Sequence, residues 1–193
     1  MQLIGLTGGI GMGKTTAVEL LSGRNLPVVD TDVLAREVVE PGRPAAAEIR
    51  NAFGDGVFGS DGQLLRQELA RVVFADPVKR RQLEAIVHPR IRAAWQAETE
   101  NWRASGYAVG VVVIPLLFET NAGGLFDRTI CVACTVASQR IRLRARGWDD
   151  QEINRRNAAQ WPVPKKMEAA DRVIWTEGEV ELIAAQFDRI LTA

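Results

Sequence analysis

The chain has 193 residues, and its 24 lysines and arginines balance its 24 aspartates and glutamates. A net charge of zero excludes the global positive field that draws proteins to nucleic acid or to anionic membranes, so any anion site must be local. A hydrophobic fraction of 47% suffices for a sizeable core, and this length fits one domain with an insertion better than two independent domains. We expect a soluble cytoplasmic protein, because Met1 leads straight into a candidate strand and no apolar run reaches membrane-spanning length.

Five short apolar runs predict the strands of the fold. Most of them lack polar alternation, which is typical of strands that are covered on both faces. The runs lie at 3–6, 27–29, 108–114, 129–133 and 172–175. Helical stretches separate them, so the sequence predicts an α/β fold with a five-stranded parallel sheet.

A phosphate-binding pattern, G-x-x-x-x-G-K-[ST], occupies residues 8–15, directly after the first apolar run. Its glycines let backbone N–H groups approach phosphate oxygens closely, which a Cβ would obstruct. Lys14 supplies a positive charge for the β- and γ-phosphates, and Thr15 supplies a hydroxyl for Mg²⁺. The first turn of the next helix adds unpaired N–H groups and the positive end of its dipole. The pattern therefore predicts binding of a nucleoside triphosphate.

Two aspartates follow the second apolar run, in the sequence Asp30-Thr31-Asp32. An aspartate at the carboxyl edge of the sheet can orient an acceptor hydroxyl and accept its proton during phosphoryl transfer. These residues favour a kinase, since a phosphate-binding loop alone does not separate kinases from GTPases, ATPases or motors. For Asp30, capping of the next helix is an alternative that stays open.

The charged segment 33–103 is too long for a simple crossover helix. Periodic stretches within it predict helices at 34–39, 45–53, 69–74 and 83–102. Glycine and proline signals separate these stretches. We interpret the segment as a helical insertion and a candidate acceptor-binding domain, with the nucleotide-binding core at 1–32 and 104–193.

Two further helices are predicted after the fourth apolar run, at 138–146 and 149–160. Together they carry six arginines. We interpret the region of about 138–165 as a lid that clamps phosphates, because arginine donors recur at transferring phosphoryl groups. The alternative is a solvated basic face.

The four arginines of the first of these helices divide between two faces. Arg142 and Arg146 are four residues apart and share one face, whereas Arg140 and Arg144 share another. We predict that Arg142 and Arg146 close over the phosphates.

Cys131 and Cys134 form a C-x-x-C within the fourth apolar run. A redox pair or a metal site is the alternative, but residues three apart on a strand face opposite sides of a sheet. The chain has two cysteines and one histidine, so it lacks the second pair of ligands that a zinc site requires. We interpret both cysteines as buried, inert side chains.

The chain resembles the dephospho-coenzyme A kinase family along essentially its whole length. Residues 5–16 are similar to the opening of that family, and Asp30-Thr31-Asp32 matches its Asp-x-Asp. Pro115-Leu116-Leu117-Phe118-Glu119 together with His88-Pro89 is more specific than the phosphate-binding loop. Further matches are Asp61-Gly62, Leu65-Arg66, Leu83-Glu84, Gln139, Arg142, Arg146 and 170–174.

This resemblance implies a P-loop kinase core, a helical coenzyme A-binding insertion and a helical lid. It implies that ATP·Mg²⁺ phosphorylates the ribose 3′-hydroxyl of dephospho-coenzyme A, the last step of coenzyme A synthesis. Asp32 would be the base, Lys14 would hold the phosphates, Thr15 would bind Mg²⁺, and Arg142 and Arg146 would act from the lid. The implied nucleotide-binding residues are Gly8, Gly9, Gly11, Met12, Gly13, Lys14, Thr15 and Thr16.

The resemblance also implies that five residues bind the substrate: Thr7, Asp32, Arg66, His88 and Leu116. His88 precedes a proline, so a role in a local turn is an alternative, and Arg66 is alternatively a surface charge. Thr176 stands where the family pattern leads us to expect asparagine.

Two rival functions share some of these features. A nucleoside or nucleoside monophosphate kinase would have the same core, loop and lid, but the motifs at 88–89 and 115–119 favour the coenzyme. A nucleotide-gated RNA-binding protein would use the stretch 140–156. Zero net charge argues against it, and Trp148 is the single aromatic residue among its arginines, so we expect neither nucleic acid nor a membrane as partner.

Overall fold

A computed structural model describes residues 1–191, and five strands within them form one parallel sheet. The strand order is β2-β3-β1-β4-β5. The strands are β1 (Gln2–Thr7), β2 (Val28–Asp30), β3 (Val109–Val113), β4 (Arg128–Ala133) and β5 (Arg172–Trp175). The predicted α/β class and all five predicted strands are confirmed.

Helices account for most of the remaining chain. They are α1 (Lys14–Ser22), α2 (Thr31–Glu37), α3 (Pro44–Phe53), α4 (Arg66–Phe74), α5 (Pro77–Ala104), α6 (Val136–Ala145), α7 (Asp150–Ala158), α8 (Val163–Ala169) and α9 (Val180–Leu191). Short 3₁₀ turns lie at Asp55–Val57 and Gly123–Leu125. α6 begins two residues before its predicted start because the hydroxyl of Thr135 accepts from the N–H of Ser138 and caps the helix.

The sheet forms a hydrophobic core together with the helices that pack against it. The central strands β1, β3 and β4 are almost wholly buried, as expected for strands without polar alternation. α1 and α9 contribute Leu21 and Phe187 to this core. All five strands run in the same direction, so the segments that follow them meet at one edge of the sheet.

The chain divides into two compact units, one made of Met1–Asp30 and the chain from Asn101 onwards, the other of Thr31–Glu100. The second unit is helical and has its own core. Ile49 and Leu69 are buried in that core, with Val57 from the 3₁₀ turn between their helices. A hydrophobic centre of this kind is typical of an insertion that folds as a unit.

His88 and Pro89 lie inside α5, which is continuous over 28 residues. The alternative that His88 serves a local turn is therefore wrong. Proline lacks the N–H that would bond to the carbonyl four residues earlier, but here the helix continues through it. The His88 side chain is exposed on this helix.

Between residues 1 and 191, none of the helices is both long enough and apolar enough to cross a bilayer.

Candidate active site

The loop between β1 and α1 has the geometry of a phosphate cradle. Gly13 is the N-cap of α1 and has φ of 92°, a left-handed conformation that favours glycine. A Cβ on Gly11 would lie 2.9 Å from Cγ of Leu143, so the loop also packs too closely for a side chain there. The pattern at residues 8–15 thus adopts the strand, loop and helix arrangement that phosphate binding requires.

The N-terminus of α1 faces this loop without a capping side chain, because Gly13 has none. No acidic residue lies in the first turn to neutralise the helix dipole. Lys14 donates from Nζ to the carbonyl oxygens of Gly8 and Gly9, at 2.8 and 3.0 Å, so its ammonium lies over the loop. Thr15 is exposed in the same turn, and its hydroxyl is accessible to a ligand.

One cleft contains residues from the loop and from the predicted lid. Its lining includes Gly11, Gly13, Thr15, Thr16, Arg142, Arg146 and Thr176. The structure thus brings the two arginines of the chosen face to the cradle. The other predicted nucleotide-binding residues lie in the loop, where Gly8 and Met12 are buried.

Arg140 and Arg144, on the other face of α6, have different surroundings. Both donate to the Asp150 carboxylate of α7, at distances of 2.8 to 3.0 Å. The hydrogen bond from Arg144 is the main reason that the pKa of Asp150 lies below its usual value. These arginines therefore tie α6 to α7 rather than line the cleft.

α6 is fixed to the phosphate-binding loop by a buried glutamine. Gln139 donates from Nε2 to the Ile10 carbonyl at 2.7 Å and to Oδ1 of Asn157 at 3.0 Å. Asn157 returns a hydrogen bond from Nδ2 to Oε1 of Gln139 at 3.3 Å. The amide pair therefore connects the loop with both helices of the predicted lid. From the sequence, Gln139 was only a match to the family pattern, because its role depends on contacts between distant segments.

The segment after β3 is held by a buried ion pair that sequence reasoning missed. Lys166 of α8 has no exposed surface, and its Nζ donates to the Pro115 carbonyl at 2.6 Å and contacts Oε1 of Glu119 at 2.8 Å. The backbone N–H of Trp161 also donates to Glu119, at 2.7 Å. The Pro115–Glu119 motif is thereby joined to the end of the predicted lid region.

Breaking this ion pair should destabilise the protein strongly. We expect Lys166→Met to lower the free energy of unfolding by about 3–5 kcal/mol, because Glu119 would keep a largely buried charge without its partner. Denaturant unfolding would measure the loss. Arg155→Ala is the control, since the Arg155–Glu152 pair is exposed and solvent screening should leave it with little effect on stability. Equal losses in the two variants would contradict the importance of the buried pair.

Thr7 and Leu116, both next to Pro115 in the structure or the sequence, differ in burial. Thr7 is completely buried at the end of β1, and its hydroxyl donates to the Pro115 carbonyl at 3.1 Å. It therefore forms part of the wall behind the loop. Leu116 is partly exposed, whereas its neighbour Leu117 is buried.

Asp30 is the last residue of β2 and is in register with Val113 of β3, which is in turn in register with Leu6 of β1. The ends of β1 and β2 are thus separated by one intervening strand, or about 10 Å. Asp32 comes two residues later, exposed in the first turn of α2. Within the helical unit, Arg66 begins α4 and donates from Nη2 to the Arg36 carbonyl at 3.4 Å.

Both cysteines are free and buried, as predicted. Burial raises the pKa of Cys131 to about 11, and burial also raises the pKa of Cys134. Thiols with such pKa values stay protonated at neutral pH and react slowly. Across residues 1–191, no cluster of three or more His, Cys, Asp or Glu could hold a metal ion.

Comparison with known proteins identifies the family. A model of the dephospho-CoA kinase family matches residues 2–181. A curated dephospho-CoA kinase from Anaeromyxobacter dehalogenans is 46% identical over 192 residues, which cover 99% of this chain and 91% of the relative.

Solved structures agree on the fold. A crystal structure from Thermus thermophilus has a TM-score of 0.88 and 34% identity, covering 99% of this chain and 96% of the other. A dephospho-CoA kinase from Campylobacter jejuni has a TM-score of 0.72 at 19% identity, covering 98% of this chain and 95% of the other. At that identity the second match supports the fold alone. With a family match that spans residues 2–181, the chain belongs to the dephospho-CoA kinase family.

Proposed function

We propose that this chain transfers the γ-phosphoryl group of ATP to the ribose 3′-hydroxyl of dephospho-coenzyme A, giving coenzyme A and ADP. Membership of a kinase family supports ATP as the donor. The observation that most supports the site of transfer is the cleft that Gly13 and Thr15 share with Arg142 and Arg146. The cytoplasmic location remains a prediction from the sequence.

The triphosphate would lie along the loop and the N-terminus of α1. Backbone N–H groups and the helix dipole favour its negative charge there, and Lys14 adds a full positive charge. Lys14 already contacts loop carbonyls, so it would exchange these neutral acceptors for phosphate oxygens.

Mg²⁺ fits this arrangement through the exposed hydroxyl of Thr15. The described residues offer no cluster of acidic or imidazole ligands, and Mg²⁺ in such enzymes is held largely by substrate phosphates and water. Thr15 would hold the ion through its hydroxyl oxygen, and the bound ion would supply positive charge next to the phosphates.

Asp32 would act as the base. Its carboxylate would take the proton of the acceptor hydroxyl while the hydroxyl oxygen forms a bond to the γ-phosphorus. The bond from that phosphorus to the β–γ bridging oxygen breaks, and its electron pair leaves with ADP. Asp32 has the position in sequence that this role requires, directly after the strand whose end lies near the phosphate loop.

Arg142 and Arg146 would stabilise the negative charge on the phosphoryl group during transfer. Substituting either of them should therefore slow the reaction more than substituting Arg140 or Arg144. We expect alanine at either position to lower kcat and kcat/KM in similar proportion, by about 10²–10³. Arg140→Ala and Arg144→Ala are matched controls, because their partner is Asp150. Steady-state kinetics of the four variants would test this. Equal, small changes in kcat in all four variants would favour the alternative that these arginines form a solvated basic face. Large decreases only at Arg140 and Arg144 would mean that these two residues, and not Arg142 and Arg146, act on the phosphates.

The acceptor would be bound with the help of the helical segment 33–103, for which Arg66 and His88 are the candidate contacts. Both are exposed in the helical unit, as a ligand contact requires. Leu116 and Thr7 complete the set that the family resemblance suggests. Because Thr7 is fully buried, we propose that it acts through the Pro115 carbonyl rather than by direct contact.

A coupled ADP-release assay tests the proposal against its rivals. The purified chain would receive ATP and Mg²⁺ with dephospho-coenzyme A, with nucleosides, with nucleoside monophosphates, or with RNA. We expect ADP release above the hydrolysis background with dephospho-coenzyme A alone. Preference for a nucleoside or its monophosphate would favour the nearest rival, and stimulation by RNA would favour the nucleic-acid alternative.

A further inference from the structure

Thr176, the residue after β5, contacts both the phosphate-binding loop and Arg142. It is buried, with 1% of its surface exposed, and its backbone N–H donates to the Ala133 carbonyl at 2.8 Å. This bond extends the β4–β5 pairing by one residue, so the position of the side chain is set by the sheet.

The Thr176 hydroxyl has two sets of partners. It donates to the Met12 carbonyl in the loop, at 2.8 Å. A hydroxyl has one proton, so the Ala133 carbonyl at 3.3 Å is the weaker alternative acceptor. The same oxygen accepts from Nη1 of Arg142 at 3.0 Å, while Nη2 donates to the Thr176 backbone carbonyl. The guanidinium is therefore held by two parallel hydrogen bonds to one residue.

The side chain also packs against the turn that begins α1. A Cβ on Gly13 would lie between 2.8 and 3.0 Å from the Oγ1, Cβ and Cγ2 atoms of Thr176. Gly13 thus leaves room for this threonine. Met12 is fixed from the other side as well, since its Sδ is 3.3 Å from the backbone N–H of Cys134.

We propose that Thr176 is a positioning residue, whose hydroxyl holds Arg142 in a fixed place relative to the phosphate-binding loop. This inference rests on the proposed function, because Arg142 must meet the phosphoryl group for its placement to affect the rate. Without the hydroxyl, the guanidinium keeps one of its two bonds to this residue and the Met12 carbonyl loses its donor. Misplacement of a catalytic group by about 1 Å can lower a rate by about a hundredfold.

Two substitutions at Thr176 distinguish the contribution of the hydroxyl group from that of the side-chain shape. Thr176→Val keeps the branched side chain and removes the hydrogen bonds, whereas Thr176→Ser keeps the hydroxyl and removes a methyl group. We expect Val to lower kcat by about ten- to a hundredfold with the ATP dissociation constant changed by less than about threefold. We expect Ser to stay within about threefold of the parent chain. A loss of thermal stability in Val with kcat unchanged would overturn the proposal.

A double variant, Thr176→Val with Arg142→Ala, tests whether Thr176 influences kcat through Arg142. Thr176→Val should have almost no further effect on kcat in an Arg142→Ala background, because the group that it positions is gone. A full additional loss there would overturn the proposal in favour of a direct effect on the loop. If Val fails to fold, Thr176→Ala replaces it, and rescue by Ser remains the criterion. Absence of transfer by the parent chain would instead reject the proposed function, so the two failures are distinguishable.

Discussion

Lys14→Ala is expected to lower kcat/KM by about 10²–10³ or more. The ammonium is the full positive charge of the phosphate-binding loop, and alanine removes it at the point where charge develops during transfer. Lys14 donates to the Gly8 and Gly9 carbonyls and is not part of the buried core, so the change should leave that core intact. Steady-state kinetics with varied ATP, together with thermal unfolding, would measure the loss in a folded protein.

Arg189→Ala is the matched control for charge. Arg189 is exposed on α9 and lies outside the proposed site, so its removal should leave turnover within about twofold. Near-normal turnover by a folded Lys14→Ala variant would reject the phosphate-binding role of the loop.

Asp32→Asn should lower kcat by at least about a hundredfold while the affinity for ATP stays nearly unchanged. The amide keeps the shape of the carboxylate but cannot take the proton of the acceptor hydroxyl. Pre-steady-state measurement of phosphoryl transfer, with ATP affinity measured separately, would separate the chemical step from binding.

Asp30→Asn resolves the remaining ambiguity in the Asp30-Thr31-Asp32 motif. If Asp30 only precedes and supports α2, its amide variant should change stability more than kcat. A larger loss of kcat at Asp30 than at Asp32 would exchange their roles. A fall in ATP affinity at Asp32 with kcat maintained would make Asp32 a metal or structural residue.

The sequence was sufficient for the features that depend on neighbouring residues. The strands are continuous apolar runs, and the phosphate-binding loop has its glycines and Lys14 at fixed spacing within a single turn. The division of the arginines likewise follows from helical periodicity, although α6 ends at Ala145 and Arg146 is its C-cap residue. The structure places Arg142 and Arg146, but not Arg140, at the cleft.

Other features depend on contacts between distant segments, which the sequence pattern does not contain. Lys166 lies in the run Pro164-Lys165-Lys166, which looks like a solvated surface, and yet its side chain is completely buried against Glu119. Thr176 appeared only as a departure from the family pattern, whereas the structure gives it bonds to Met12 and Arg142. For His88-Pro89 the sequence left a local turn open as an alternative to the predicted helix at 83–102, and α5 continues through both residues.

The most direct test of the central claim is the position of the transferred phosphate. Purified protein would be incubated with ATP, Mg²⁺ and dephospho-coenzyme A, and the product would be analysed by ³¹P NMR and mass spectrometry, with a 3′-deoxy acceptor as the control. We predict one new phosphomonoester on the ribose 3′-oxygen for each ADP released, and no product from the 3′-deoxy compound. Phosphate at any other position, or ADP release without a phosphorylated acceptor, would contradict the account.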